Sequence, residues 1–195
     1  FPARNRIISG MSLGVVVTID EGLFSADFRA AEKLAQLLIQ VSGRAGRAQA
    51  PGQVLLQTHH PEHPLLATLL AGGYPAFAKL ELAEREAAGF PPFAHLALLR
   101  VDSHREDALQ LFMREAHAAA RAIVASDPTL SVDVHAPMPA PMARRAGRMR
   151  AQMLLSAKLR PGLQAVLRAW NAALFELKSG RGVRWSLDVD PGDLY

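Results

Sequence analysis

HLALLRVDS, residues 95 to 103, is the stretch that decides the fold of the second half of this chain. It is mostly apolar and of strand length. It follows GFPPF (89 to 93), where two adjacent prolines forbid helix continuation and favour extended backbone. We therefore predict a domain boundary between residues 92 and 93 and a strand at 95–103.

The elements after this strand alternate in a regular order. The pattern predicts helix 106–125, strand 130–136, a loop rich in Pro, Met and Arg, strand 148–157, helix 160–177 and strand 183–191. This βαββαβ order predicts an α+β domain in which a four-stranded sheet carries two helices on one face, a ferredoxin-like or ribosomal-S10-like arrangement. The other face of the sheet would be available to a partner or to domain packing.

The first part of the chain predicts a different class of fold. The β-branched run LGVVVTID (13–20) and the run GQVLLQT (52–58) predict buried strands, and leucines at helical spacing predict a helix at 30–41 that ends at SGRAG. Strand, helix, glycine–arginine loop and strand form an α/β pattern. Two amphipathic helices, 64–71 and 75–88, follow and are separated by a Gly-Gly pair.

These elements divide the chain into three segments, 1–60, a helical connector 61–92, and 93–195. The sequence opens with FPARN, without an initiator Met or a secretory pattern, so we expect a piece of a longer protein and assign no site to residues 1–12. Half of the 195 residues are hydrophobic, enough for a packed core, and no apolar run is long enough to cross a membrane. The absence of cysteine excludes disulfides and thiolate zinc sites and suits a reducing cytosol.

The positive charge of the chain lies in its second half. Residues 1–92 hold eight Lys and Arg against eight Asp and Glu, whereas 93–195 hold fourteen against ten. Four of these cations stand in PMARRAGRMRAQ (141–152), namely Arg144, Arg145, Arg148 and Arg150. Strand alternation would place Arg148 and Arg150 on one face, where a basic stripe could bind nucleic acid; the alternative is a solvated face or a set of salt bridges.

The motif QVSGRAGR (40–47) combines glycines with arginines at fixed spacing. Gly43 and Gly46 would let a loop approach a ligand, and Arg44 and Arg47 carry guanidinium groups that match phosphate oxygens bidentately. The alternative is a helix that ends at Gly43, with both arginines solvated.

Further stretches accompany this motif and carry a family resemblance. They are DEGLFSADFRAAEKLAQLLIQ (20–40), LLQTHHPEHPLL (55–66), GFPPFAHLALLR (89–100) and VRWSLDVDP (183–191). QVSGRAGR resembles motif VI of superfamily 2 helicases, and the whole of about residues 13–195 resembles the C-terminal part of the PriA family of replication-restart helicases (primosomal protein N′). Motif VI is shared by many helicases, whereas its combination with GFPPF and WSLDVDP is far more specific.

The resemblance implies roles for the residues of the motif. It implies that residues 1–60 end a RecA-like helicase lobe 2, with Arg47 as an arginine finger on the γ-phosphate of ATP, supported by Arg44 and by Gln40 at the cleft. Gly43 and Gly46 would set the path of the nucleotide loop. ATP and Mg²⁺ would bind elsewhere in the full-length protein, because the chain has no phosphate loop and no acidic magnesium motif. We expect the chain alone to be inactive as an ATPase.

The resemblance also implies partners. It implies a 3′–5′ DNA helicase that recognises branched and single-stranded DNA at stalled forks, starts primosome assembly and works in the bacterial cytoplasm, associated with the nucleoid. Arg160 and Gln164, four residues apart on one helix, would help to bind the acidic C-terminal tail of single-stranded-DNA-binding protein, which ends in Phe. The zinc-binding cysteines of the family are absent from this chain. The alternative function is a non-enzymatic DNA- or protein-binding module.

Three other features of the sequence have structural interpretations. His59, His60 and His63 in THHPEHP are interpreted as a turn and not as a metal site, because the prolines break the scaffold that metal ligands need. Trp185 is interpreted as part of the sheet core. Asp27 is either a residue of the helicase coupling region or the start of a helix.

Overall fold

The computed structural model describes residues 14–25, 27–45 and 53–194. The chain divides into two compact units, one up to Glu84 and one from Arg85 onward. Each unit has a buried apolar cluster of its own. No helix in the described part of the chain is long and apolar enough to cross a lipid bilayer.

The first unit has an α/β arrangement, as predicted. Its elements are β1 (Gly14–Thr18), α1 (Asp20–Leu23), α2 (Ala30–Ala45), β2 (Gln53–Gln57) and α3 (Pro64–Ala88). β1 and β2 pair in parallel, and the apolar face of α2 packs in one cluster with the first turns of α3. The order strand, helix, strand is therefore confirmed for the described residues.

Helix α2 is longer than the sequence predicts. The sequence predicts a helix over 30–41 that ends at SGRAG, but the helix continues to Ala45 and Gly43 lies inside it. A glycine inside a helix costs only about 1 kcal/mol, and the burial of Leu38 and Val41 on the preceding turns is worth more than that. Gly43 therefore does not start a loop.

Helix α3 combines the two helices predicted at 64–71 and 75–88. Its backbone leaves the helical region at Gly73, where φ is 65° and ψ is −167°. A positive φ favours glycine, and Pro75 lacks the N–H that would continue the helical ladder. The predicted break is thus a kink between two helical segments.

The second unit has the predicted βαββαβ order with one added strand. Its elements are β3 (His95–Ser103), α4 (Glu106–Ser126), β4 (Val132–Val134), β5 (Met138–Arg145), β6 (Arg148–Ala157), α5 (Arg160–Glu176) and β7 (Arg184–Val189). The sheet order is β4-β6-β3-β7, all antiparallel, and β5 also pairs with β6. This is the ferredoxin-like strand order.

The core of the second unit lies between the sheet and its two helices. Alternate residues of β3, Ala97, Leu99 and Val101, join the buried cluster together with residues of α4 and α5. Trp170 of α5 is fully buried and its indole Nε1 donates a hydrogen bond to the backbone oxygen of Ala116 in α4 at 2.9 Å. Trp185 packs against this cluster, which confirms its interpretation as part of the core.

Strand β5 occupies the segment for which the sequence predicts a loop. Its prolines stand at alternate positions, Pro139 and Pro141, and proline is tolerated in an edge strand where its nitrogen faces away from the neighbour. β5 pairs with β6 on one side only, and the register shifts between Pro139 and Arg144. The prolines are thus compatible with an edge strand, although the composition of the segment predicts a loop.

Gly162 lies in the first turn of α5, where the helix approaches the backbone that leads into β4. A Cβ atom added to Gly162 would lie 2.3 Å from the carbonyl oxygen of Leu130. We expect Gly162→Ala to destabilise the second unit by about 1–3 kcal/mol, because the backbone must shift and the gain in helix propensity is smaller.

Urea unfolding followed by tryptophan fluorescence measures this effect, since both tryptophans, Trp170 and Trp185, lie in the second unit. Gly192→Ala is the matched control, because a Cβ there meets nothing within 4 Å. A Gly162→Ala variant as stable as the control would contradict the close approach.

Candidate nucleic-acid interface

The residues of the QVSGRAGR motif lie at the end of α2 and beyond it. Gln40 is exposed on this helix, and Gly43 lies in it with open space at its Cα. Arg44 belongs to the last turn of the helix, whereas Gly46 and Arg47 lie outside the described residues. Their role at the phosphates of a nucleotide stays a prediction.

Asp27 lies three residues before helix α2, which begins at Ala30. Its Oδ1 accepts a hydrogen bond from the backbone N–H of Arg29 at 3.1 Å, and the Lys33 Nζ lies 2.9 Å from its Oδ2. The buried carboxylate of Asp27 thus closes the turn that leads into α2 and pairs with a lysine of its first turns. These contacts suit a residue at the start of a helix, and a role of Asp27 in helicase coupling stays a prediction.

Asp20 joins the carboxyl ends of the two parallel strands of the first unit. The hydroxyl of Thr58 donates to its Oδ1 at 2.5 Å, and the Nδ1 of His59 lies 2.6 Å from its Oδ2. These hydrogen bonds, with that of Thr58 the largest effect and that of His59 the next, lower the pKa of Asp20 to about 2. Sequence reasoning missed this cluster, because Asp20 and Thr58 are 38 residues apart in the chain.

The histidines of THHPEHP form a turn, as predicted. The backbone N–H of His63 donates to the oxygen of His60, and both rings contact Phe24 edge-on, with centroids 5.6 and 4.6 Å away. Within the described ranges, no group of three or more His, Cys, Asp or Glu is placed to hold a metal ion.

The four predicted arginines of the second unit lie along the β5–β6 hairpin, but in two different environments. Arg144 and Arg145 are exposed at the end of β5, beside the two-residue turn of Ala146 and Gly147, both at positive φ. Two adjacent exposed guanidinium groups at a hairpin tip can contact a polyanion without any rearrangement of the fold. Of the four arginines, this pair is the most accessible.

Arg148 and Arg150 lie on the face of the sheet opposite α4 and α5, as the alternation predicts. Met149 and Ala151, which alternate with them along β6, pack on the core side. Arg148 is already engaged: its Nη1 lies 3.1 Å from Oδ1 of Asp102, and its side chain is only 20% exposed. Arg150 donates a long hydrogen bond, 3.5 Å, to the backbone oxygen of Met142. Of the two arginines on this face, Arg148 is therefore held in an ion pair and Arg150 is the more available cation.

Arg100 of β3 is a residue of this face that sequence reasoning missed. Its Nη1 donates to Oδ2 of Asp188 at 2.6 Å, and its Nη2 donates to the backbone oxygen of Asp193 at 2.8 Å and to its Oδ1 at 3.1 Å. The paired acidic residues follow Trp185 in WSLDVDPGD, so the acidic tail of that motif was the signal available. Arg100 holds the end of the chain against the sheet.

Arg160 and Gln164 lie one turn apart at the start of α5. Arg160 is largely exposed, and its Nη2 is 3.4 Å from Oδ2 of Asp190. The neighbouring Leu159 is 71% exposed, so an apolar side chain and a guanidinium group stand side by side at the start of this helix. Such a pair suits a ligand that has both an apolar group and a carboxylate.

Comparison with known proteins gives a family for the chain. Residues 86–192 match the family described as Primosomal protein N C-terminal domain. The chain belongs to this family. The match includes the whole β3–β7 sheet and all four arginines of the β5–β6 hairpin.

Relatives extend the likeness beyond the Primosomal protein N C-terminal domain. The chain is 44% identical over 192 residues to Replication restart protein PriA of Haemophilus influenzae, an alignment that covers 98% of the chain and 26% of that protein. The corresponding protein of Treponema pallidum is 38% identical over 178 residues, 90% of the chain and 26% of that protein. That of Bacillus subtilis is 36% identical over 189 residues, 97% of the chain and 23% of that protein. The chain spans about a quarter of the length of these relatives.

The hydrogen bonds of Asp20 predict how the stability of the first unit depends on pH. Its pKa of about 2 lies below the ordinary 3.8, so its contribution to stability is complete above the ordinary pKa and is lost as pH falls through about 2. We expect Thr58→Val to raise the pKa of Asp20 towards 3.8, because the hydroxyl of Thr58 is the largest cause of the shift.

An NMR titration of the Asp20 side-chain carboxyl carbon measures both values. Thr18→Val, an exposed change on β1, is the control and should leave the titration unchanged. An Asp20 that titrates near 3.8 in the unaltered chain would show that these hydrogen bonds do not hold in solution.

Proposed function

We propose that this chain is the C-terminal portion of an ATP-dependent 3′–5′ DNA helicase that recognises stalled and branched replication forks and starts primosome assembly for replication restart. The observation that carries the proposal is the 44% identity to Replication restart protein PriA of Haemophilus influenzae over nearly the whole chain. The likeness includes both units and is not confined to the Primosomal protein N C-terminal domain. DNA repair and recombination would depend on the same fork recognition.

The contribution of the first unit to the motor would be the end of lobe 2. Helix α2 ends at Ala45, inside the QVSGRAGR motif, and its apolar face belongs to a buried core. Residues 46 and 47 would therefore directly follow an anchored helix. A guanidinium group positioned from a rigid element can stabilise charge on a transferring phosphoryl group. ATP and Mg²⁺ would bind on a lobe that this sequence does not include.

The contribution of the second unit would be contact with DNA and with partner proteins. Arg144 and Arg145 can bind phosphates of branched or single-stranded DNA, which fixes position without reading sequence. Arg160 and Gln164, beside the exposed Leu159, can bind the acidic C-terminal tail of a single-stranded-DNA-binding protein. Asp190 lies 3.4 Å from Arg160, so a tail carboxylate would compete with it for the guanidinium group. Other primosome proteins would meet this unit in the bacterial cytoplasm.

A non-enzymatic DNA- or protein-binding module is the second candidate. It is favoured by the separate core of the second unit, which includes a sheet, two helices and a fully buried Trp170. A unit with its own core can bind partners without a motor. The two candidates differ in whether the full-length protein hydrolyses ATP.

Substitution of Arg47 tests whether the motif acts in ATP hydrolysis. In the full-length protein, we expect Arg47→Ala to slow single-turnover ATP hydrolysis by about 10³-fold or more and to change ATP binding much less, because a finger acts on charge that develops in the transition state. Arg121→Ala, which removes an exposed arginine of α4, is the matched control. If Arg47→Ala hydrolysed ATP at the rate of the control, Arg47 would not be an arginine finger. If the unaltered full-length protein had no ATPase activity, the binding module would be favoured.

Arg144 and Arg145 test the DNA contact. We expect the Arg144→Ala/Arg145→Ala chain to bind forked DNA more weakly and to lose about two units from the slope of log affinity against log salt, because two phosphate contacts disappear. Arg160→Ala should do the reverse: it should keep its DNA affinity and lose binding to an acidic peptide that ends in Phe.

Fluorescence anisotropy with labelled fork and labelled peptide measures both affinities. Arg121→Ala/Arg168→Ala removes the same charge from exposed positions on α4 and α5 and serves as the control. Equal losses in the two double variants would mean that net charge, and not the hairpin, determines binding.

A further inference from the structure

A row of three aromatic rings leads from the core of the second unit to its surface. Phe112 of α4 is fully buried, and its ring stacks with that of Trp185 in β7, with centroids 6.4 Å apart and 23° between the planes. Trp185 in turn contacts Phe175, in the last turn of α5, edge-on at 5.0 Å and 64°. Phe175 is 72% exposed. An aromatic ring at the surface is therefore held in place by two rings behind it.

The surroundings of Phe175 are open and mostly polar. Among the described residues, β7 pairs with β3 alone, so it is an edge strand of the sheet. On the surface of α5 the residues one turn before Phe175 are Asn171 and Ala172, and Glu176 follows it; all three are exposed. An interface between two proteins surrounds its central aromatic residue with further apolar side chains. Phe175 instead offers a face for one flat group.

The segment that follows this ring is basic. From Phe175 to Ser186 it holds three cations, Lys178, Arg181 and Arg184, and a single carboxylate, that of Glu176. The three cations are exposed, and none of them forms an ion pair with another residue that the structure describes. They can therefore bind an anion without giving up an existing ion pair, whereas the ion-paired arginines of the same sheet cannot.

Two of these cations are presented together by a fixed turn. Lys178 and Arg181 lie three residues apart in the 3₁₀ turn Lys178–Gly182, and side chains at this spacing eclipse on one side of such a turn. The hydroxyl of Ser179 donates to Oε2 of Glu115 in α4 at 2.5 Å, which ties the turn to a helix of the core. The ring and the cations thus belong to one surface that is ordered before any ligand binds.

A supported aromatic ring beside unpaired cations is the combination that binds single-stranded nucleic acid. Bases stack on the ring, while Lys and Arg neutralise the phosphates. A duplex fits less well, because the faces of its bases are covered by their neighbours in the stack. An acidic peptide would use the cations but would leave the flat face of Phe175 unused.

We propose that Phe175 stacks on a base of single-stranded DNA while Lys178, Arg181 and Arg184 bind the phosphates that flank this base. This inference rests on the proposed function, because it needs the chain to bind DNA, and it adds a second contact surface. In the sheet order, β7 lies at one edge and the β5–β6 hairpin lies beyond β3, towards the other edge. The two surfaces are therefore separated by the width of the sheet, which suits the diverging arms of a fork.

Fluorescence anisotropy of the whole chain with labelled DNA tests the stacking contact. The probes are a strand of about 15 thymidines, a strand of equal length in which abasic residues replace the thymidines, and a duplex of equal length. We expect the thymidine strand to bind about tenfold more tightly than the abasic strand, because both carry the same phosphates and only the first has bases that can stack.

Protein variants locate the effect. Phe175→Ala should remove most of the difference between the thymidine and abasic strands and leave duplex binding unchanged, while Phe175→Trp should retain the difference. Leu70→Ala truncates a side chain that is 71% exposed and is the matched control, which should alter neither affinity. Lys178→Ala/Arg181→Ala should weaken both strands alike and lower the slope of log affinity against log salt by about 1.4.

Three results would overturn this inference and leave the DNA contact of the proposed function intact. They are equal binding of the thymidine and abasic strands by the unaltered chain, a difference between these strands that Phe175→Ala keeps, and a dimer of the chain in sedimentation equilibrium that Phe175→Ala dissociates. The last result would assign the ring to a protein interface. Absence of binding to every probe would overturn the DNA contact of the proposed function as well.

Discussion

The pairing of strand β3 on both of its edges is the constraint on which the second unit depends. β3 lies between β6 and β7 and is antiparallel to both, so every residue from Ala97 to Asp102 has a neighbour on each side. Because side chains alternate along a strand, this pairing fixes which residues face the helices and which face away. A slip of one residue would exchange Leu99 with Arg100 and bury a guanidinium group in the core.

The same register gathers charges that the sequence keeps far apart. Asp102, Arg150 and Arg184 come from three different strands and become direct neighbours only through the sheet. One face of the sheet therefore has apolar residues packed under α4 and α5, while the other combines the buried Leu96 and Leu98 with a charged and polar region around Arg100 and Asp102. The stable core and the charged region on the opposite face are consequences of one strand pattern.

Two segments, one in each unit, show how local signals compete with packing. Gly43 is a helix-ending signal, yet α2 continues past it because its buried face contributes more than glycine costs. The segment of β5 is a loop signal, yet alternate prolines are compatible with an edge strand. Both differences arise where tertiary contacts outweigh the preference of single residues. The predicted break at Gly73 was correct because the backbone there has a positive φ and Pro75 follows it.

The sequence by itself determined the order of elements, the alternation of Arg148 and Arg150 and the family to which the chain belongs, because periodicity and motifs are local properties of the chain. Only the tertiary structure decided that Arg148 is bound to Asp102 while Arg144 and Arg145 remain exposed. It also decided that Asp20 meets Thr58 and His59 at the ends of two parallel strands. These contacts join residues tens of positions apart, and the strand register that brings them together follows from burial over the whole sheet and not from any one stretch of sequence.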